Sequence, residues 1–240
     1  MLEIKSLTKT FGKLRAVDNF NMEVEKGEVK ALIGPNGAGK TTVVNLVTGV
    51  LLPDNGRIRL DNHCLLKLAP YKRIKVGISR TYQIPKPYLN LTVLENVLVS
   101  SYFGAGLKGE EAVSNAIESL KFVGLYSMAN KSAKELNSEQ QKLLDFARAL
   151  SIRPKYIMID EIGAGLGISE QEEIASKIRE LGKKGLGVIY IGHLMKMVKA
   201  VSDTVVVMNE GKKIFEGSYE DAVNNEEVIK IYLGERHAKS

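Results

Sequence analysis

The run Gly34-Pro35-Asn36-Gly37-Ala38-Gly39-Lys40-Thr41 constrains this chain more than any other stretch. It fits G-x-x-x-x-G-K-[ST] and lies between two segments that the chemistry requires. Before it, Val29 to Ile33 reads as a buried strand; after it, Lys40 to Val50 reads as a helix with Val43, Val44, Leu46 and Val47 inward. In that setting the glycines let backbone N–H groups converge on phosphate oxygens, and the helix N-terminus adds its positive end. Lys40 reaches the β and γ phosphates, the Thr41 hydroxyl can ligate Mg²⁺, and Thr42 continues the cradle into the helix. A chance glycine turn seldom supplies lysine and threonine in register after a strand.

A second element, Tyr156-Ile157-Met158-Ile159-Asp160-Glu161, is an apolar strand ending in two carboxylates. On an open parallel sheet, groups at the carboxyl ends of strands face the ligand crevice. Asp160 can then hold magnesium through water, and Glu161 can polarise an attacking water. Such an ending is common in isolation; with the phosphate loop it points to a nucleotide triphosphatase.

Leu2 to Leu7 and Val17 to Val24 alternate and read as strands, and Pro53-Asp54-Asn55-Gly56 reads as a turn. From about 85 to 151 strand signals give way to helical patterns at Val93 to Ser101, Glu110 to Val123 and Glu139 to Leu150. Alternation resumes after Arg153-Pro154, with a helix over Ser169 to Leu181, a strand over Gly187 to Gly192, and a hairpin pairing Val205 to Met208 with Lys213 to Phe215. The expected class is α/β: a P-loop nucleotide triphosphatase core with a mixed or parallel sheet, N-terminal antiparallel strands and an inserted α-helical subdomain. One domain is expected over 1–240, its nucleotide-binding core from about 1–84 and 152–240 and its helical subdomain from about 85–151.

With 240 residues and 44% apolar content the chain can bury a core. No apolar run approaches the roughly 20 residues of a membrane helix, and the opening MLEIKSLTKTFG reads as a strand, so a cytoplasmic protein is expected. Cys64 stands alone and reads as inert packing. The net charge of +6 fits nucleic acid, an anionic lipid surface or a lysine-rich exterior. The lysines are scattered without aromatic interleaving, which favours the last.

These motifs, in their order, resemble the ABC ATPase cassettes along nearly the whole chain. The resemblance implies that Phe11, in Leu7-Thr8-Lys9-Thr10-Phe11-Gly12, stacks on adenine, and that Gln83, in Arg80-Thr81-Tyr82-Gln83, links metal and water to the helical subdomain. It also implies that His193, in Tyr190-Ile191-Gly192-His193, contacts the γ-phosphate and orients Glu161. Within the family, Arg80 to Gln83, Leu91-Thr92-Val93-Leu94-Glu95-Asn96-Val97 and Val228-Ile229-Lys230-Ile231-Tyr232-Leu233-Gly234-Glu235 are similar to the ATPase subunits of branched-chain amino acid uptake systems. The last segment is shared with the lipopolysaccharide-exporter ATPase. The implied ligands are ATP and Mg²⁺. The implied partners are a second cassette packed head to tail, membrane permease subunits touched by Ile84-Pro85-Lys86-Pro87-Tyr88 and, indirectly, a solute-binding protein. No nucleic acid is expected, and the chain is placed on the inner face of the cell membrane.

The family's Leu-Ser-Gly-Gly-Gln signature, which covers the partner's nucleotide, reads here Leu136-Asn137-Ser138-Glu139-Gln140. Glu139 adds bulk and negative charge where glycine admits close approach; two like charges about 4 Å apart repel by roughly 4 kcal/mol at an effective dielectric near 20. In the first turn of its own helix the same carboxylate gains about 0.3–1 kcal/mol. Ile162 replaces the usual proline, Ala164-Gly165-Leu166-Gly167 ends without aspartate, and Gly192 and Leu194 flank the histidine. The chain keeps its own half of a hydrolytic site while the half lent to a partner is degenerate. This implies a heterodimer and slow turnover by the chain alone. A lipopolysaccharide-export ATPase, a soluble cassette acting on DNA or ribosomes, and a regulatory cassette are the competing readings.

Overall fold

The computed structural model describes residues 1–163 and 165–237, the side chains of 233–237 excepted. Ala164, and the side chains of Leu233 and Glu235, lie outside what the structure describes. The chain opens with β1 (Leu2–Phe11) and β2 (Leu14–Val24), an antiparallel pair, followed by β3 (Val29–Ile33), the phosphate loop and α1 (Lys40–Thr48). Next come β4 (Asn55–Leu60), β5 (His63–Cys64), α2 (Pro70–Val76) and β6 (Ile78–Arg80). A helical stretch follows, α3 (Val93–Val99), α4 (Gly109–Val123) and α5 (Ser138–Ser151), in which an isolated bridge joins Thr92 to Ser132. The second half alternates β7 (Tyr156–Asp160), α6 (Ile168–Lys183), β8 (Gly187–Ile191), α7 (Met195–Val201), β9 (Thr204–Asn209) and β10 (Lys212–Gly217), then closes with α8 (Tyr219–Asn224) and α9 (Glu226–His237).

Two sheets result. The first is antiparallel in the order β2-β1-β4-β5; the second runs β10-β9-β3-β8-β7-β6 and is parallel except for its β9–β10 hairpin. Strand alternation assigns its two faces. Val29, Ala31 and Ile33 of β3, with Ile157 and Ile159 of β7, pack against α3 to α7. Leu32, Tyr156 and Met158 face α1 and the first sheet. By the same period of two, Asp160 ends β7 on the side of the phosphate loop.

Two expectations need correction. The segment 53–56 is a turn only at its start, because β4 begins at Asn55. Gly56 adopts φ 99°, and a methyl group there would stand 2.5 Å from the Ser6 carbonyl oxygen, opposite the register shift between Lys5 and Thr8. Its glycine therefore serves a bulge with close backbone approach. The helix expected over Val93 to Ser101 ends at Val99 and widens into a π-turn over Ser100–Gly104.

Arg73 is only 1% exposed. Its Nη1 donates to the carbonyls of Leu46 (2.6 Å) and Val47 (2.9 Å), and its Nε to Leu68 O (3.0 Å). A guanidinium thus satisfies last-turn carbonyls of α1 that lack intrahelical donors. Arg73→Met is expected to lower unfolding free energy by about 2–4 kcal/mol, since it strands those acceptors. Urea midpoints at unchanged m-value check this; a shift below about 0.5 kcal/mol would mean water reaches them.

Candidate nucleotide site

The carboxyl ends of β3, β6, β7 and β8 converge, and each carries a segment singled out above. The phosphate loop follows β3, and Lys40 Nζ donates to the carbonyls of Gly34 (2.6 Å) and Pro35 (2.8 Å), which hold the ammonium over the loop. Gly39 sits at φ 105°, and a Cβ there would lie 2.2 Å from Ala16 O in the first sheet. Only glycine lets the loop dock on that strand.

A cavity of about 420 Å³ opens above the loop, walled by Asn36 to Thr42 together with Phe11, Leu14, Ala16, Gln83, Asp160 and Glu161. Phe11 ends β1 and is 44% exposed at the mouth, where Lys9 Nζ stands 5.6 Å from its ring centroid. Glu161 takes φ 49°, a left-handed conformation rare for a side-chain-bearing residue. Its carboxylate is bracketed: Gln83 Nε2 donates to Oε2 at 3.1 Å, and His193 Nδ1 lies 3.1 Å from Oε1. Residues 83, 161 and 193 come from three neighbouring strand ends. The structure does not bring Leu136 to Gln140 to this cavity: they lead into α5, where Asn137 as N-cap and Gln140 make a reciprocal capping box. Glu139 leans toward its own chain, so that a methyl group on Gly165 would stand 3.6 Å from its Oε1.

Asp160 is 5% exposed, and its backbone N–H donates to the Thr81 hydroxyl at 2.8 Å. Oδ2 is buried with no hydrogen-bond partner among the described residues. Burial pushes the carboxyl up to about 6; Arg80 and Lys40 pull it down and Glu161 adds to the rise. A buried carboxylate oxygen without a donor, beside the exposed Thr41 hydroxyl and Gln83, is a donor set that fits a hard divalent cation. The rise has a linked cost. Between the ordinary value of 3.8 and about 6 the folded chain binds more protons than the unfolded one, so stability falls as pH rises through that window. Asp160→Asn is expected to melt higher than the parent at pH 8 in chelator, by about 2–3 kcal/mol. The difference should shrink as pH falls through about 6 and vanish well below 3.8, where the parent carboxyl is neutral in both states. Scanning calorimetry across that range checks both arms.

Sequence reasoning missed Thr81 and Arg80, whose Nη1 donates to Asn45 Oδ1 of α1 at 2.6 Å. It also missed Asp145, buried between Leu144 and Phe146. A charge at a core position of an amphipathic helix was the available signal.

The ABC transporter family model matches residues 17–164, more than half of the chain. The chain belongs to the ABC transporter family. A second family model, the branched-chain amino acid ATP-binding cassette transporter, matches residues 212–238 of this cassette. Among curated relatives, the high-affinity branched-chain amino acid transport ATP-binding protein BraF of Pseudomonas aeruginosa is 39% identical over 98% of each chain. LivG of Escherichia coli K12, of like description, is 36% identical over 98% of each. An ATP-binding cassette of an ABC transporter solved in its ADP conformation superposes with TM-score 0.88 at 34% identity, over 98% of both chains. A bacterial cassette solved as a dimer gives 0.84 at 27% identity, over 91% of this chain and 99% of that one. This cassette is thus an ATP-binding, ATP-hydrolysing subunit homologous to those branched-chain amino acid transport ATP-binding proteins. No helix among its described residues is long and apolar enough to cross a membrane.

Proposed function

We propose that this ATPase energises uptake of branched-chain or related amino acids from the cytoplasmic face of the membrane. The observation that carries the reading is the bracketed Glu161 carboxylate above a complete phosphate loop, in a chain similar end to end to BraF and LivG. The match at 212–238 favours this branch over lipopolysaccharide export. ATP lies on Gly34 to Thr42 with adenine against Phe11 and the β and γ phosphates at Lys40. Thr41, Gln83 and, through water, Asp160 would hold Mg²⁺, which would offset the charge of the phosphate oxygens. Glu161 accepts a proton from the attacking water. Gln83 and His193 fix the carboxylate, and His193 faces the γ-phosphate.

The core comprises about 1–84 and 152–240, and 85–151 is the helical subdomain. It presents Ile84 to Tyr88 to the membrane subunits. Beside this segment a second cavity, about 490 Å³, is walled partly by Tyr71, Tyr82, Tyr88 and Phe103, all well exposed aromatics suited to an apolar partner helix. Leu136 to Gln140 close over the nucleotide of a second, different cassette, where Glu139 slows hydrolysis. A solute-binding protein delivers cargo on the far side.

Purified alone, the chain is expected to bind MgATP yet turn it over slowly, and to accelerate with the other cassette of its transporter. Brisk hydrolysis by the lone chain, abolished by Glu161→Gln, defeats the asymmetric pairing.

A further inference from the structure

The loop that carries Gln83 runs from the end of β6 to the start of α3, and a catalytic glutamine on a loop needs something to fix it. Its two ends are secured: Thr81 N–H donates to Met158 O (2.9 Å), and the Asn96 carboxamide clamps Tyr88, accepting its N–H at 2.8 Å and donating to its carbonyl at 3.0 Å. Between them the loop is held by α5. Asp145 Oδ2 accepts the Tyr82 N–H at 2.7 Å, and Arg148, one turn on, donates to Lys86 O at 3.2 Å while its guanidinium lies 5.0 Å from the Tyr88 ring centroid. On the other side of Tyr82, Arg80 stacks 4.5 Å from its ring centroid and bonds Asn45 of α1. Asp145 is 5% exposed and belongs to no part of the cavity that holds the phosphate loop.

We propose that Asp145 is a positioning residue for Gln83. By accepting the Tyr82 N–H it fixes the Thr81–Tyr82 peptide, one residue before Gln83, and with it the hydrogen bond that Gln83 gives Glu161. A buried carboxylate accepting a backbone N–H makes a short, strong bond, and its loss frees a peptide whose nitrogen is four bonds from the Gln83 Cα. The same helix starts within Leu136 to Gln140, so the segment lent to a partner lies on the element that holds the glutamine loop of the chain's own site. The inference rests on the assignment of Gln83 and Glu161 above.

The test is single-turnover hydrolysis with the purified chain in excess over MgATP and well above its dissociation constant. Asp145→Leu keeps the volume and removes the acceptor; it is expected to slow hydrolysis about tenfold, the scale of one hydrogen bond to a charged group, while nucleotide affinity stays within about threefold. Asp145→Asn, whose carboxamide oxygen still accepts the Tyr82 N–H, should recover to within about twofold of the parent. In a Gln83→Ala background Asp145→Leu should cost nothing further, because no glutamine remains to be misplaced. Losses that multiply in the double variant, or weaker nucleotide binding with an unchanged rate, overturn the proposal. Amide exchange of the peptide spanning Tyr82 to Tyr88 reads the same claim without turnover: it should quicken in Asp145→Leu and match the parent in Asp145→Asn. Unaltered exchange in the leucine variant also overturns it, and Asp145→Ala carries the same expectations should the leucine variant not fold. Were Glu161→Gln to leave hydrolysis intact, the site assignment itself would fail, whereas the exchange result would still decide what Asp145 holds.

Discussion

Lys40→Ala is expected to weaken MgATP binding by about a hundredfold, corresponding to about 3 kcal/mol for a charge-assisted contact to phosphate. Lys40 Nζ is already gathered over the loop by the Gly34 and Pro35 carbonyls, so little side-chain ordering remains to oppose the contact. The fold should survive, because the long stem stays partly solvated and the valines of α1 supply its packing. Isothermal calorimetry on parent and variant checks the effect, with the melting temperature as control. Equal affinities would remove the phosphate loop from the site.

Glu161→Gln is expected to leave MgATP affinity within about threefold and to cut single-turnover hydrolysis by about a thousandfold, the range for loss of a positioned general base. The substitution keeps the shape of the side chain but replaces one acceptor oxygen by a donor. Gln83 Nε2 and His193 Nδ1 now meet a group with one acceptor where the carboxylate offered two. Glu161 also stands at φ 49°, and that backbone conformation keeps its side chain at the end of β7 in either variant. A rate within tenfold of the parent would assign the proton transfer elsewhere.

The parts of the site readable in the sequence were those whose chemistry is local. A strand, a glycine loop, a lysine and a helix start follow one another in the chain, and Asp160-Glu161 closes an apolar strand, so both could be recognised before any contact was known. The grouping of Gln83 and His193 around Glu161 depends on β6, β7 and β8 being neighbours, a register that no residue states alone; only resemblance to a family indicated it. Buried charges were the least legible. Arg73 and Asp145 were not singled out, and their partners are backbone groups 26 and 63 positions away. Short helices such as α2 and α7 carry too few turns for a periodic pattern. At 53–56 the same glycine chemistry marks a turn and a bulge, which only the pairing with β1 distinguishes.

Phe11 belongs to the antiparallel sheet, whereas the phosphate loop, Asp160 and Glu161 issue from the parallel one. A molecule touching the ring and the loop together therefore acts as a cross-brace between two separately hydrogen-bonded layers. Its grip stiffens the joint at Gly39 and Ala16, and the first hairpin inherits protection against opening that its own ladder does not provide.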